Sequence, residues 1–427
     1  MKAFPLLLLP ALSVHIQAAS PTFYRDILPI LQARCQNCHR NGETAPMPLV
    51  TYRQVKPFAA AIRKATRSRT MPPWFADPCC GHFSNDPSLT KQQIAAISAW
   101  VDADAPAGNA NDAPPPVHWV KGWKIAQPDV VFTMPVAKKI PATGELPYQE
   151  IIIPTHFKKD RWVQMCEIRP GNAMVVHHAV AYVRPPNSNW LRGAPIGVPF
   201  SANQLPTPKL RRDAQWTTSE ILLLYAPGSP PGRWPEGFAK FIPASSDIVL
   251  QTHYMPMGHA TEDRTSIGLV FAKKPPQKRV LTLQLTNDTF TIPPGDPDMR
   301  VGVHGSIPND CLLLSLFPHM HLRGKTFKYN LYVPGKPKRT LLFVHYNFHW
   351  QLHYRLAKPI PLKPGDILQA IATFDNSKNN PDNPNPAAAV SWGDQSSSEM
   401  MIGFFNVAVP AGIDKKQFFV RKRRSLK

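Results

Sequence analysis

Beyond its first residues the sequence has no apolar run long enough to cross a bilayer, so no integral membrane segment is expected. Acidic residues are scarce: 28 Asp and Glu face 49 Lys and Arg, a net charge of +21. That balance raises nucleic acid as a partner. The export signal described next argues against it and leaves a basic surface suited to an anionic envelope or an acidic redox partner. Only Arg421 to Lys427 is a dense basic cluster, and it reads as a terminal tail. Cysteines number only six. Two belong to the motif below, and Cys79, Cys80, Cys166 and Cys311 allow three disulfide pairings between which the sequence does not choose. No internal repeat is strong enough to make any two segments copies.

Proline is abundant instead, at 49 residues in 427, and it favours loops and strand ends over long helices. The chain is therefore expected to be mostly β-structure, in two or three domains. Met1-Lys2, the short apolar run from Pro5 and the small residues up to Ser20 make a secretory signal over 1–19, which places the mature protein in the periplasm or outside the cell. Residues 20–106 carry helical signals. Thr90 to Gln93 is a capping box, and Ile94, Ile97, Trp100 and Val101 share one helical face. A Pro-rich linker, 107–124, follows. From 125 the apolar period becomes two, as in Ala173 to Val183 and Ser266 to Phe271, and a break at Lys273 to Lys278 divides this part into 125–274 and 275–412, before a basic tail, 413–427.

Cys35-Gln-Asn-Cys38-His39 is a complete C-x-x-C-H. Two thiols add to the haem vinyls and the adjoining histidine ligates the iron, so one covalent haem c is expected, in a cytochrome c domain. Met71, on the Pro-stiffened Arg69-Thr-Met-Pro-Pro-Trp74, is the expected sixth ligand; Met47 and His82 compete for that place. The predicted fold is then a small all-α cytochrome c domain followed by two antiparallel, jelly-roll-like β-sandwiches.

Three histidine clusters and one methionine lie in the β-region: His177-His178, His253, His319-Met-His321 and Met400. Residues i and i+2 of a strand share a face, so His319 and His321 can address one metal. Adjacent His177 and His178 point opposite ways on a regular strand and can share a metal only through a local backbone distortion. His345, His349 and His353 alternate with large apolar residues, read as a polar sheet face and are assigned no metal.

The order His-His, His, His-x-His, Glu-Met resembles the ligand series of the copper type II, ascorbate-dependent monooxygenases, the peptidylglycine- and dopamine-hydroxylating family. The likeness spans about residues 125 to 410. It extends to Gln251, to Leu322-Arg-Gly324 and to the approach to Glu399-Met400, and Met71-Pro-Pro-Trp74, Asp375-Asn-Ser377 and Trp392-Gly-Asp394 resemble the bacterial branch with an N-terminal cytochrome. The resemblance implies two copper ions. His177, His178 and His253 would hold an electron-transferring copper, and His319, His321 and Met400 the oxygen-activating one. Imidazole suits copper, a thioether favours Cu(I), and no cysteine stands where a blue-copper thiolate is needed.

The activity expected on that basis is hydroxylation of a substrate C–H bond with O2, the fused haem passing electrons from a periplasmic donor. Peptide-amidating members read a carboxylate with an Arg two residues before the His-x-His pair and polar residues after the Met. This chain has Phe317, Ile402 and Phe404 there, so an uncharged, apolar or aromatic small substrate is expected. The rival reading is a non-catalytic electron carrier or copper-binding protein.

Overall fold

The computed structural model describes residues 20–43, 45–120, 122–202, 205 and 219–420; the expected signal and the basic cluster from Arg421 lie outside the described residues. The chain divides into two compact units. One holds Ala45–Pro72 and Ser88–Val117 with the residues before Gly42, and the other holds Pro73–Pro87 and the chain from His118 onward.

The first unit contains short helices, among them Leu28–Arg34, Ala59–Arg67 and Lys91–Asp102. The last begins at the predicted capping box: the Gln93 amide donates to Thr90 Oγ1 at 3.1 Å, and Gln93 Oε1 accepts from the Thr90 amide at 2.9 Å. It buries Ile97 and Trp100 with Phe23, Ile27 and Leu31.

The expected all-α cytochrome c domain followed by β-sandwiches is not what the chain forms. Strand makes up 36% of the structure against 13% helix, and among the described residues the helices are few and short and form no separate all-α cytochrome c domain. One physical reason lies in residues 73–87, which the sequence reading put inside the helical segment. Prolines at 72, 73, 78 and 87 keep this stretch extended, and its apolar side chains are partly buried against strands of the β-rich unit to which it belongs. Ala76 bridges to Val344 and Phe83 to Leu356, while Trp74 and Phe83 pack on Tyr354 with ring centroids 4.8 and 5.6 Å away.

The strands of the β-region run from Val130 to Pro410. One nine-stranded sheet runs through it, in the order Val130–Thr133, Ser266–Phe271, Arg161–Arg169, Phe238–Ile242, Lys278–Thr286, Ile402–Pro410, Cys311–His319, Tyr354–Leu362, with Gly232–Arg233 paired to Arg161–Arg169. Residues of its first four strands share a core with the four-stranded sheet of Gln149–Pro154, Asp247–Tyr254, Val176–Arg184 and Glu220–Tyr225. The strands from Lys278 onward share a second core with Met299–Ser306, Ile367–Phe374, Gly324–Tyr332 and Arg339–His345.

The halves meet where Phe238–Ile242 runs parallel to Lys278–Thr286, pairing Lys278 with Phe238 and Arg279 with Ala239. Buried polar links reinforce this short seam. Lys240 Nζ donates to Thr282 Oγ1 at 2.6 Å and to the Ile221 carbonyl at 2.6 Å, and Arg279 pairs with Glu220 at 2.5 Å. Burial pulls the Lys240 ammonium down to about 8, opposed by Glu220.

A third apolar cluster fills the space between the halves. Ile152, Val180, Tyr182 and Val249 come from the first half, and Phe317, Met400, Ile402 and Phe404 from the second. Strand alternation explains the split: Ala179, Ala181 and Val183 point into the first core, whereas Val180 and Tyr182 point toward the second half. The candidate centre lies at the end of this cluster.

Among the described residues, no helix is long and apolar enough to cross a membrane. Cys79 and Cys80 are bonded to each other, and Cys166 and Cys311 are free and buried.

Candidate metal centre

His177 and His178 lie near the start of strand Val176–Arg184, and His253 near the end of Asp247–Tyr254. Val176 pairs with Tyr254 and His178 with His253, so two steps on one strand answer one step on the other. His177 is the extra residue of a β-bulge. This is the distortion that adjacent histidines need to face one metal. One ligand atom from each of His177, His178 and His253 lies within 4.8 Å of the others, and all three residues are buried.

Hydrogen bonds fix the tautomers. The Phe348 carbonyl can only accept, so His177 Nε2 carries the proton of that 3.0 Å contact and His177 Nδ1 holds a lone pair. The 3.0 Å contact between the two Nδ1 atoms then requires His178 Nδ1–H to donate, and His178 Nε2 accepts from the Tyr148 hydroxyl at 2.9 Å. His253 Nδ1 is buried with no partner among the described residues, and His253 Nε2 lies 3.3 Å from Ser396 Oγ. Two facing nitrogens held apart by one proton, beside an unpartnered third, suit a cation with nitrogen ligands.

The second set lies where strand Cys311–His319 ends. Met320 is fully buried in the second core, and the alternation turns His319 and His321 the other way, with ring centroids 5.3 Å apart. His319 Nδ1–H donates to Gln351 Oε1 at 2.6 Å and His321 Nδ1–H to the Ser398 carbonyl at 3.2 Å. Both leave Nε2 as the available donor atom, and His321 Nε2 is buried and unpartnered among the described residues. In the first set His177 Nδ1 holds a lone pair and His253 Nδ1 is unpartnered among the described residues, while His178 Nδ1 is open to a metal once its proton moves to Nε2, where the Tyr148 hydroxyl can accept it; the second set offers Nε2 atoms.

The residues that extended the family resemblance beyond the ligands act as ties. Glu399 accepts from the His321 amide at 2.9 Å and the Arg323 amide at 2.6 Å, Arg323 Nε donates to Asn376 Oδ1 at 2.8 Å, and Arg323 Nη1 donates to the Ser397 carbonyl at 2.8 Å. At Gly324 a Cβ would come within 2.7 Å of the Tyr346 ring and 2.9 Å of Met320 Cβ, so only glycine lets the turn close.

The two sets are neighbours. The His178 and His319 rings have centroids 5.3 Å apart, and both line an open cleft of about 70 Å³ together with Tyr148, Gln351, Asp394 and Met400. Phe317, Ile402 and Phe404 form part of its wall with Tyr182 and Leu224. Met401, read as structural, is buried in the second core. Burial pushes the imidazoles down, His177 to about 3, His253 and His319 to about 4, and His178 and His321 well below the usual value; neighbouring imidazoles add to this for all but His319. All five are neutral ligands at neutral pH.

His345 and His349 are exposed, as a polar face requires. His353 is not: its Nε2 bonds Ser315 Oγ at 2.7 Å, and burial drives its pKa to about 3. Tyr148, Phe348 and Gln351 were not singled out from the sequence. Their contacts join segments far apart in the chain, and only the density of polar and aromatic residues in Tyr346 to Tyr354 hinted at a role.

In the first unit, Cys35 and Cys38 are thiols near the end of helix Leu28–Arg34. Burial pushes the Cys35 thiol up to about 12. His39 Nδ1–H donates to the Met47 carbonyl at 3.1 Å, which leaves His39 Nε2 as the ring nitrogen with a lone pair. Two thiols beside a histidine oriented in this way fit a covalent haem. Met71 is partly buried in the same unit, whereas His82 belongs to the other one.

No family model matches this chain, and no curated protein does. Among solved structures, one of the infectious bursal disease virus Gx strain aligns over 69% of this chain and 75% of its own, at 10% identity and TM-score 0.20. The VP2 subviral particle of infectious bursal disease virus aligns over 68% and 74%, at 9% identity and TM-score 0.20. A PNGF-II structure aligns over 66% and 60%, at 10% identity and TM-score 0.24. Likenesses this slight carry no argument about fold or function.

Proposed function

We propose that this chain is an exported copper-dependent monooxygenase that hydroxylates a C–H bond of a small, uncharged, apolar or aromatic substrate with O2. The observation that carries the reading is the pair of ligand sets on one cleft: three converging imidazoles on one side, and two imidazoles beside the cleft-lining Met400 on the other. Copper, when bound, supplies one-electron redox chemistry and the activation of O2. The protein's own part is to hold neutral imidazoles by hydrogen bonds, to set the Met400 thioether on the same cleft as His319, and to shape that cleft. Phe317, Ile402 and Phe404 offer an apolar wall, and no Lys or Arg is among the described residues that line the cleft. A carboxylate substrate would find no cationic side chain among the described lining residues.

Cys35, Cys38 and His39 would hold a haem c, with Met71 as its sixth ligand, and an electron donor outside the chain would reduce it. Purified from a host that matures c-type haem, the protein should retain haem through denaturation. Loss of both Cys35 and Cys38 should abolish that; haem retained without them would refute the assignment.

The test of the activity is a copper-loaded, reduced sample supplied with small aromatic substrates under 18O2. Two bound coppers and substrate-dependent incorporation of one labelled oxygen are expected. Two coppers without O2 uptake across the panel would leave a copper-binding protein as the reading.

A further inference from the structure

Residues of different chemistry join the two ligand sets directly. His177 Nε2–H donates to the Phe348 carbonyl at 3.0 Å. Gln351 Nε2–H, three residues on, donates to that same carbonyl at 3.4 Å, the longest link, and Gln351 Oε1 accepts from His319 Nδ1–H at 2.6 Å. A ligand of the first set and a ligand of the second are therefore bridged by one backbone carbonyl and one side-chain amide. Gln351 is 1% exposed and His319 is 6% exposed, so little of this path meets water even where it lines the cleft. The amide suits the place because it accepts at one end and donates at the other.

We propose that Gln351 is a positioning residue that both orients His319 and couples the two metal sites, so that filling one set alters the affinity of the other. This rests on the reading of both sets as copper sites. The physical path is the polarisation of successive hydrogen bonds. A cation on His177 Nδ1 makes its Nε2–H a stronger donor, the Phe348 carbonyl then has less to offer Gln351, and Gln351 Oε1 in turn holds the His319 proton less firmly. His319 Nε2 becomes a poorer donor, and the second set binds more weakly.

The test is titration of the holoprotein with Cu(II) against a competing chelator, followed by electron paramagnetic resonance. Second-set affinity is measured with the first set intact and with it emptied by His253→Ala, which leaves the bridge in place. Gln351→Leu should weaken the second set about 10–100-fold and change its copper hyperfine pattern. It should also shrink the coupling factor, the ratio of the two affinities, by about fivefold. Direct repulsion between two cations acts in both backgrounds, so the difference isolates the bridge.

Gln351→Glu keeps an oxygen for His319 and loses the N–H for Phe348. It should restore most of the second-set affinity while the coupling stays lost, and it carries the test if the leucine variant does not fold. Two coppers bound, with affinity, spectrum and coupling unchanged in either variant, would overturn this proposal and leave the copper reading standing. A wild-type protein that binds no copper at either set would overturn both.

Discussion

Met400 differs in kind from the other residues of the candidate centre, being the one thioether among imidazoles. Leucine has nearly its volume and no donor atom, so Met400→Leu should cost less than about 1.5 kcal/mol of stability. It should nevertheless depress Cu(I) binding at the second set and cut product formation steeply, as measured by Cu(I) competition and by turnover. His253→Ala removes the nitrogen that completes the first set and leaves the substrate wall untouched. A small reductant added with substrate should recover some product in the His253 variant and none in the Met400 variant. Equal recovery in both would show that the sets do not divide the work as proposed.

At the scale of the element, the turn from His319 to Gly324 and the strand that begins at Ile402 are held together by Arg323 and Glu399 rather than by sheet pairing alone. Arg323 is 1% exposed and Glu399 is fully buried. Arg323→Met should therefore destabilise the protein by about 2–4 kcal/mol, because it leaves Asn376 Oδ1 and the Ser397 carbonyl without the buried guanidinium that donates to them. Urea unfolding decides this; a change below about 1 kcal/mol would mean that the tie carries no weight.

The same elements show how far the sequence could be read. Strand alternation was visible in residues 173–183, and adjacency alone said that His177 and His178 needed a distortion, but the bulge arises from the register against Tyr254 and His253, which no local pattern encodes. His353 looked like a polar face because its neighbours alternate, and its actual partner, Ser315, lies on another strand. The extended stretch 73–87 was absorbed into a helical domain because its prolines were read as a loop, whereas its burial depends on an edge about 270 residues downstream. Gln351 carries no motif, since any buried acceptor of the right length would serve its local sequence equally well.

For the molecule as a whole, burial of neutral imidazoles sets the response to pH. His177, His253, His319 and His353 have pKa values of about 3 to 4 when folded, and His178 and His321 lie well below the ordinary value of 6.5. Between pH 6.5 and about 4 the unfolded chain binds protons at these six positions and the folded chain does not. Stability present above pH 6.5 is therefore lost as pH falls, by up to about 1.4 kcal/mol per unit for each histidine. Glu150 and Glu399, whose carboxyls burial pushes up to about 7 and about 8, act with the opposite sign, since the folded chain holds their protons down to 4.5. Two carboxyls do not outweigh six imidazoles. Metal-free protein should be markedly less stable at pH 5 than at pH 7, and Cu(II) should oppose the loss near pH 6; thermal unfolding with and without chelator measures both. A stability that rises from pH 7 to pH 5 would contradict the burial of these rings.

The seam between the halves has a mechanical consequence. Because the sheet passes from Phe238–Ile242 directly into Lys278–Thr286, and is riveted there by Lys240 and Arg279, swinging the halves apart like a jaw would break these buried links. A molecule too wide for the cleft must wait on the local give of side chains such as Phe404 and Tyr182, so bulk, rather than affinity for the wall, becomes the first criterion of admission.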